Sequence, residues 1–442
     1  MQNHFKIFLF VLLIFIFPKI SNSQVWSLKQ CVDTALNKNL TIQQSSNSVD
    51  MRQIYVNQSK SNLLPSLNGS AGQNYNAYVE NDTSLGNAFS NNFSLNSQVT
   101  IFNGFQNKNS IKKTQLELEA SKLDLEYIKN EIVLNVIDVY LQVLYANELL
   151  KNSKIQVETS NSQLSRIEDF YKVGKKSQSD VLQLKSQLAG DKLSVVNAEG
   201  NVRTAKLMLQ QMLNISVSPT FDIEYNLLLE PQQIENYNVA EIYEQARNYQ
   251  PDIKANELKT KSEEMQVKIL EGNFLPKLNL NGNISSNYSS IAMNKDLTQS
   301  TYSFTNQLGD NVNGLFSLSL SIPIYNNKIH KNNVELQKIN LKNSQLNEKI
   351  TNDNLRKNIE QACIDAENSS SKLTATKEQL DATKASLDIA QIKYDNGMLS
   401  TSELLIEKNN FTKIQSAFVQ AKFELLFRQK VLDYYKGTLE SF

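Results

Sequence analysis

The chain has 442 residues, with 45 basic and 45 acidic side chains, 13 glycines, 7 prolines and 2 cysteines. Such neutrality gives no footing for nucleic-acid binding, which shows as a basic patch or stripe. Two cysteines cannot build a disulfide framework. The scarcity of glycine and proline over long polar-apolar stretches points to long helices.

In chain order, Lys6 precedes an apolar run from Ile7 to Phe17, followed by Pro18 and the small-residue site Ser21-Asn22-Ser23. That plan predicts a cleavable secretory signal over 1–23 and a mature chain from about Gln24. The run is too short to span a bilayer, which takes about 20 apolar residues as a helix. No cysteine follows the cleavage site, so no lipid-modified N-terminus is indicated. Cleavage removes Lys6 and Lys19 and no acid, leaving a slight acidic excess. Beyond the signal no stretch approaches a transmembrane helix, so entry into a membrane would require a closed barrel.

From there the chain is written twice. Leu64-Pro65-Ser66-Leu67-Asn68 returns as Leu275-Pro276-Lys277-Leu278-Asn279, and Phe93 to Phe102 returns 223 residues later as Phe316 to Tyr325. Tyr171-Lys172-Val173-Gly174 likewise returns as Tyr394-Asp395-Asn396-Gly397, at the same offset of 223. Tandem halves of this size are two copies of one structural unit. The first repeat is expected over 24–215, with a helix, a β-hairpin at 65–102 and a long helical hairpin at 106–214. A connector, 216–238, leads to the second repeat, 239–442, with a helix, a β-hairpin at 276–325 and a helical hairpin at 327–436.

Leu28 to Asn62 patterns as a helix entering the first strand, as does Val239 to Glu271 in the second half. In the strands, Phe93, Leu95, Val99 and Ile101 alternate with Ser94, Asn96, Gln98 and Thr100. Phe316, Leu318, Leu320, Ile322 and Ile324 alternate with Ser317, Ser319, Ser321 and Pro323. Period-two alternation is a half-buried strand. Asn76 to Asn92 and Ser289 to Asn313 read as exposed loops. An antiparallel sheet on a soluble core fits the alternation too. The secretory signal, the Ser/Asn/Thr content of the polar face and the lack of further strands favour a membrane barrel. Single-chain membrane barrels need about 8 strands, so four per chain would have to be pooled between subunits, and twelve leave room for an aqueous lumen.

From Asn107 to Tyr171 there is no proline or glycine. At 1.5 Å per residue such a helix runs about 95 Å and needs neighbours along its length. Gly174 and Gly397 sit where a helix end wants a left-handed residue. Ser177 with Asp180, and Ser400 with Glu403, are capping boxes opening the returning helices. Cys31 and Cys363 fall inside helical patterns as buried small residues, with pairing across the halves left open.

The order and duplication of these elements resemble the outer membrane efflux protein family, the TolC-like channels of tripartite exporters. The resemblance rests on Trp26-Ser27-Leu28 with Ala35-Leu36-Asn37-Lys38-Asn39, the two Leu-Pro strand entries, Ile101-Phe102-Asn103-Gly104 and the doubled Tyr-x-x-Gly tips. Tyr325-Asn326-Asn327 lacks the glycine of that signature, and Leu40 stands where the second half has Pro251. The resemblance implies a mainly α protein with a β-barrel part: a homotrimer with a twelve-stranded outer membrane barrel, in contact with outer membrane lipid, and a periplasmic α-helical tunnel. It implies a periplasmic adaptor, or membrane fusion protein, and an inner-membrane pump as partners. Adaptor contact would fall on Gly174, Lys175, Lys176, Ser177, Gly397, Met398, Leu399 and Ser400, and the entrance constriction on Asp180 and Glu403, with Ile406 where some relatives carry a second acid. Both acids serve equally well as helix caps.

No catalytic, cofactor-binding or metal-ligating set is expected: the mature chain keeps one histidine, His330, read as a surface residue, with no HExxH, P-loop or dinucleotide turn. The competing account is a secreted coiled-coil structural protein or adhesin. It explains the helices but not the strands that interrupt both halves at equivalent places. A type I secretion conduit for polypeptides shares the whole architecture with drug efflux.

Overall fold

The computed structural model describes residues 25–77, 88–225, 231, 237–292 and 302–438. The signal expected at 1–23 lies outside them, as do parts of both expected loops and of the connector. Two compact units divide the chain, one of Met1–Gln43, Lys129–Ala246 and Lys357–Phe442, the other of Gln44–Ile128 and Arg247–Arg356.

The first unit opens with strand β1 (Val25–Trp26) and helix α1 (Leu28–Lys38), started by a Ser27 capping box with Gln30. The single helix expected over 28–62 is two. Asn39 leaves the helical region at ψ 126°, ending α1, and its Oδ1 accepts the N–H groups of Thr41 and Ile42, starting α2 (Leu40–Ser61). The second half breaks at the same place, between α5 (Val239–Tyr249) and α6 (Pro251–Glu271). There Gln250 is held extended by the proline after it.

The long hairpins follow the expected bounds closely: α3 (Gln106–Lys172) with α4 (Gln178–Met212), and α8 (Ile329–Asp395) with α9 (Thr401–Lys436). Both α3 and α8 have 67 residues, and each contributes to both units. The described part of the expected connector carries a short strand. Asp222–Ile223 forms β4, a parallel partner of β1, with Trp26 opposite Ile223. Trp26 stacks at 5.7 Å on Phe221, and the fully buried Tyr140 donates its hydroxyl to the Glu224 carbonyl at 2.9 Å. By length and composition α3 is apolar enough to cross a membrane, contrary to the sequence expectation. That character serves a core instead, since Val136, Ile137, Tyr140, Leu141, Val143 and Leu144 pack against Leu209 and Leu213. Cys31 and Cys363 are buried and unpaired, and burial pushes the Cys31 thiol up to about 12.

The second unit carries an antiparallel sheet in the order β2 (Ser66–Asn76), β3 (Ala88–Asn103), β5 (Lys277–Ser289), β6 (Asn313–Ser321). The register aligns Ala71 with Phe93, Leu95 with Ile284, Val99 with Leu280, and Leu280 with Leu318. One face is therefore apolar across all four strands. The other carries polar pairs such as Ser70 with Ser94 and Asn96 with Asn283. Two details depart from the expectation. A bulge at Ile101 brings Phe102, not Ile101, opposite Leu278. Strand β6 stops at Ser321, so Ile322 and Ile324 lie beyond the ladder, because Pro323 has no N–H to give it. The expected loop 289–313 contains a short helix, α7 (Phe304–Asp310), pinned by buried Gln307 to the Ser289 backbone through both its N–H and its carbonyl.

Among the described residues the apolar face has no cover: Leu67, Leu95, Phe316, Leu318 and Leu320 are 67%, 43%, 80%, 63% and 61% exposed. Each such side chain left in water forgoes roughly 1.5–3 kcal/mol. A soluble sheet would not leave this many. Among the described residues, strands β2 and β6 also each lack a neighbour on one side, and an open edge of that kind invites pairing with another chain.

The strand-to-helix junction is tight in the first half. Gly104 has φ +66°, and a Cβ there would meet the Gly272 carbonyl oxygen at 2.3 Å. Its counterpart Asn327 adopts φ +54°, which asparagine tolerates. Gly104→Ala should therefore lower the unfolding temperature, with strain of about 1–3 kcal/mol, while Asn327→Gly should leave it unchanged or raised. Circular dichroism melts of both variants check this, and equal losses would contradict it.

Candidate functional site at the hairpin tips

Both tip turns close as the sequence demands. Gly174 and Gly397 each have φ +74°, and each turn ends in paired bonds, Gly174 N–H to the Tyr171 carbonyl and Lys175 N–H to the Phe170 carbonyl in the first. In the second, Gly397 and Met398 bond to Tyr394 and Lys393. Ser177 and Ser400 then open α4 and α9, and both capping boxes are complete. Beneath the turns the four helix ends share one apolar core of Leu164, Ile167, Val181, Leu184, Leu188, Ala390, Tyr394 and Leu404.

The two predicted acids have different surroundings. Asp180 caps its own helix through Ser177 and also accepts the hydroxyl of Thr401, a residue 1% exposed on the other hairpin. With that proton committed, the Tyr394 hydroxyl is the donor to Thr401 at 3.3 Å. The chain Tyr394–Thr401–Asp180 thus ties one hairpin to the other. The Thr401 hydroxyl, followed by the Ser177 bonds and Lys176, holds the Asp180 carboxyl below the usual carboxylate range, against the opposing effect of burial. A depressed acid stabilises the fold above its unfolded pKa of about 3.9 and loses that contribution only as pH falls through the lower folded value. The tie is therefore fully formed at neutral pH.

Glu403 is exposed and, among the described residues, bonded only within its own turn, where the Ser400 hydroxyl and N–H lower its pKa. Its counterpart set is open as well. Gln178 and Tyr171, which occupy in the first half the places of Thr401 and Tyr394, are both exposed. Ile406 is 65% exposed, and so is Leu182 at 57%, although the equivalent Leu405 packs on the core. One of two pseudo-equivalent junctions is closed within the chain and the other is vacant.

Lys176 lies over the Tyr394 ring at 4.4 Å, a cation–π contact that also fastens the hairpins. Lys175 is exposed, Met398 is 72% exposed and Leu399 packs on the core. Arg166 and Asp395 form a further cross-hairpin ion pair at 2.9 Å.

Sequence reading missed a buried polar network two turns below the tips. Lys408, 2% exposed, donates to Ser160 at 2.6 Å and to Gln163 at 3.1 Å, while Ser160 donates to Asp191, itself 7% exposed. Gln187 donates to the other Asp191 oxygen at 2.9 Å. Burial pulls the Lys408 pKa down and Asp191 partly restores it. The signal was available: Leu184, Leu188 and Asp191, like Leu404 and Lys408, stand at core spacing along their helices. Among the described residues no cluster of metal-ligating side chains occurs.

Residues 31–214 and 242–434 match the family described as outer membrane efflux protein. The chain belongs to the outer membrane efflux protein family. A relative, the toxin and drug export protein A of Aggregatibacter actinomycetemcomitans, is 22% identical over 90% of this chain and 83% of its own. The channel CusC superposes with a TM-score of 0.80 at 15% identity, over 92% of this chain and 91% of its own. VceC of Vibrio cholerae does so at 0.77 and 15%, over 93% and 97%. These likenesses establish the fold of TolC-like channels. Family membership makes this an efflux protein of the outer membrane, a setting that suits the bare apolar face of its sheet, and nothing supports a secreted coiled-coil adhesin.

The buried network yields a test. Lys408→Met leaves Asp191 buried without its cation and should cost about 3–5 kcal/mol, whereas Lys408→Met with Asp191→Leu should recover most of that loss. Denaturant unfolding of the single and double variants measures it, and additive losses would contradict the network.

Proposed function

We propose that this protein assembles as a trimer whose pooled sheets make a twelve-stranded barrel continued by a helical tunnel. In this reading it is a passive conduit from periplasm to exterior, opened when a periplasmic adaptor coupled to an inner-membrane pump engages the tips. The observation that supports this reading is the four-stranded sheet that, among the described residues, has one bare apolar face and two free edges, which in a bilayer call for strands from other chains. The name of the Aggregatibacter relative supports export of toxins or drugs as the cargo class. Drug efflux and type I polypeptide secretion remain alike in architecture.

The vacant tip junction supports a ring. In a closed ring of hairpins each contact within a chain alternates with one between chains. The second hairpin of one copy, with Glu403, then meets the first hairpin of the next, with Gln178, in the manner of Thr401 and Asp180. Asp180 acts in this scheme as the internal tie of the closed entrance and Glu403 as an acidic ring at the seam between copies. Adaptor contact falls on Gly174, Lys175, Lys176 and Ser177 of one turn and Gly397, Met398, Leu399 and Ser400 of the other. Opening is a population shift that the adaptor drives by binding splayed tips better than closed ones.

Gln178→Cys with Glu403→Cys should form disulfides between chains on mild oxidation, giving covalent oligomers on a denaturing gel. Cys31 and Cys363 are too buried to interfere. Either single variant should run as a single chain on that gel, and a double variant that never cross-links between chains would remove the alternating ring.

A further inference from the structure

The junction where β6 gives way to α8 differs from its repeat in chemistry but not in backbone. Phe105 and Lys328 occupy equivalent places with φ +62° and +61°, and Gly104 and Asn327 are both left-handed. In the first half, Asn103 accepts the Asn107 N–H at 3.3 Å and donates its Nδ2 to Asn107 Oδ1 at 2.9 Å, so its amide is satisfied from inside. In the second half the equivalent residue is Asn326, and His330 stands in the place of Asn107. The Asn326 Nδ2 is buried and without a partner among the described residues. Phe105 has been replaced by Lys328, and Lys331 keeps the charge of Lys108. From 322 to 334 the sequence holds Lys328, His330 and Lys331 and no acid. Neither lysine forms an ion pair among the described residues.

These groups line a cleft of about 190 Å³ shared with Phe274, Ile324 and Tyr325. Phe274 packs its ring edge to His330 at 5.8 Å. Ile324 is 94% exposed and Tyr325 75%, so the apolar face of the sheet runs on past the last strand residue to this cationic spot. A site for a drug-sized ligand spans about 300–1,000 Å³, so the cleft suits a smaller group. Aromatic side chains with lysines at a barrel's edge mark headgroup depth, and basic pockets at that depth take anionic lipid headgroups.

We propose that this cleft binds the phosphate of an anionic phospholipid in the leaflet facing the periplasm. Lys328 and Lys331 supply charge, Asn326 Nδ2 supplies a neutral donor, and Ile324 and Tyr325 lie along the lipid's glycerol and upper acyl region. The first-half junction, with its amide self-satisfied and Phe105 in place of a lysine, does not take part.

The test is native mass spectrometry of the full-length protein released from mixed micelles of phosphatidylglycerol and phosphatidylcholine. The wild type should retain phosphatidylglycerol preferentially, and Lys328→Gln with Lys331→Gln should reduce that retention by about ten-fold or more. Equal retention of the two lipids by the wild type, or undiminished retention by a double variant with native circular dichroism, would overturn the site. If the double variant does not fold, His330→Asn, which restores the first-half partner to the amide, should weaken retention, and no change would count against the proposal. Retention that survives excess inorganic phosphate supports a lipid, and displacement by phosphate would overturn the lipid assignment.

Discussion

One constraint governs this molecule: a four-stranded sheet bears an apolar face that nothing among the described residues covers. In a bilayer, backbone hydrogen bonds must be satisfied within the protein, so open edges at β2 and β6 are permissible there only if other strands complete them. The polar face, built of serine and asparagine pairs, then has water to face only if the sheet curls around a lumen. In the proposed assembly, membrane insertion, oligomerisation and a passage through the middle all follow from the same alternation of residues.

The duplication supplies the parts for the proposed ring but does not make them identical. Two hairpins with matching left-handed glycines and capping boxes differ by a handful of side chains, and those differences decide which contacts close inside the chain. Thr401 in the place of Gln178 gives Asp180 a partner across the hairpins, whereas Glu403 bonds to Ser400 of its own turn. Below them, Lys408 and Asp191 put charge into a helix core where leucine would have packed at no desolvation cost. Such a network fixes the register of three helices more sharply than apolar packing alone, a role buried polar groups serve in some helical assemblies.

Much of this was legible in the residues. The hairpin bounds, both tip glycines and both capping boxes follow from local rules, and the apolar and polar faces follow from alternation in β3 and β5. What the sequence hid were features decided at a distance. The break at Asn39 depends on a side chain choosing to cap the next helix, and the order in the connector depends on β4 finding β1. The bulge at Ile101 shifts one residue against the ladder, which no periodicity announces. At the tips the sequence offered two equivalent acids, and only the packing of Thr401 against Asp180 separated them. The polar network was visible only to a reader who treated Lys408 and Asp191 as core positions.

The measurement closest to the central claim is the ion conductance of the purified protein in a planar lipid bilayer, taken together with its mass in detergent. A particle of three chains that inserts and passes ions in small, mostly closed steps is the predicted result, the closed tips limiting flow through a continuous lumen. A water-soluble, non-conducting particle would contradict it, because the apolar face of the sheet would then have found its cover somewhere other than lipid.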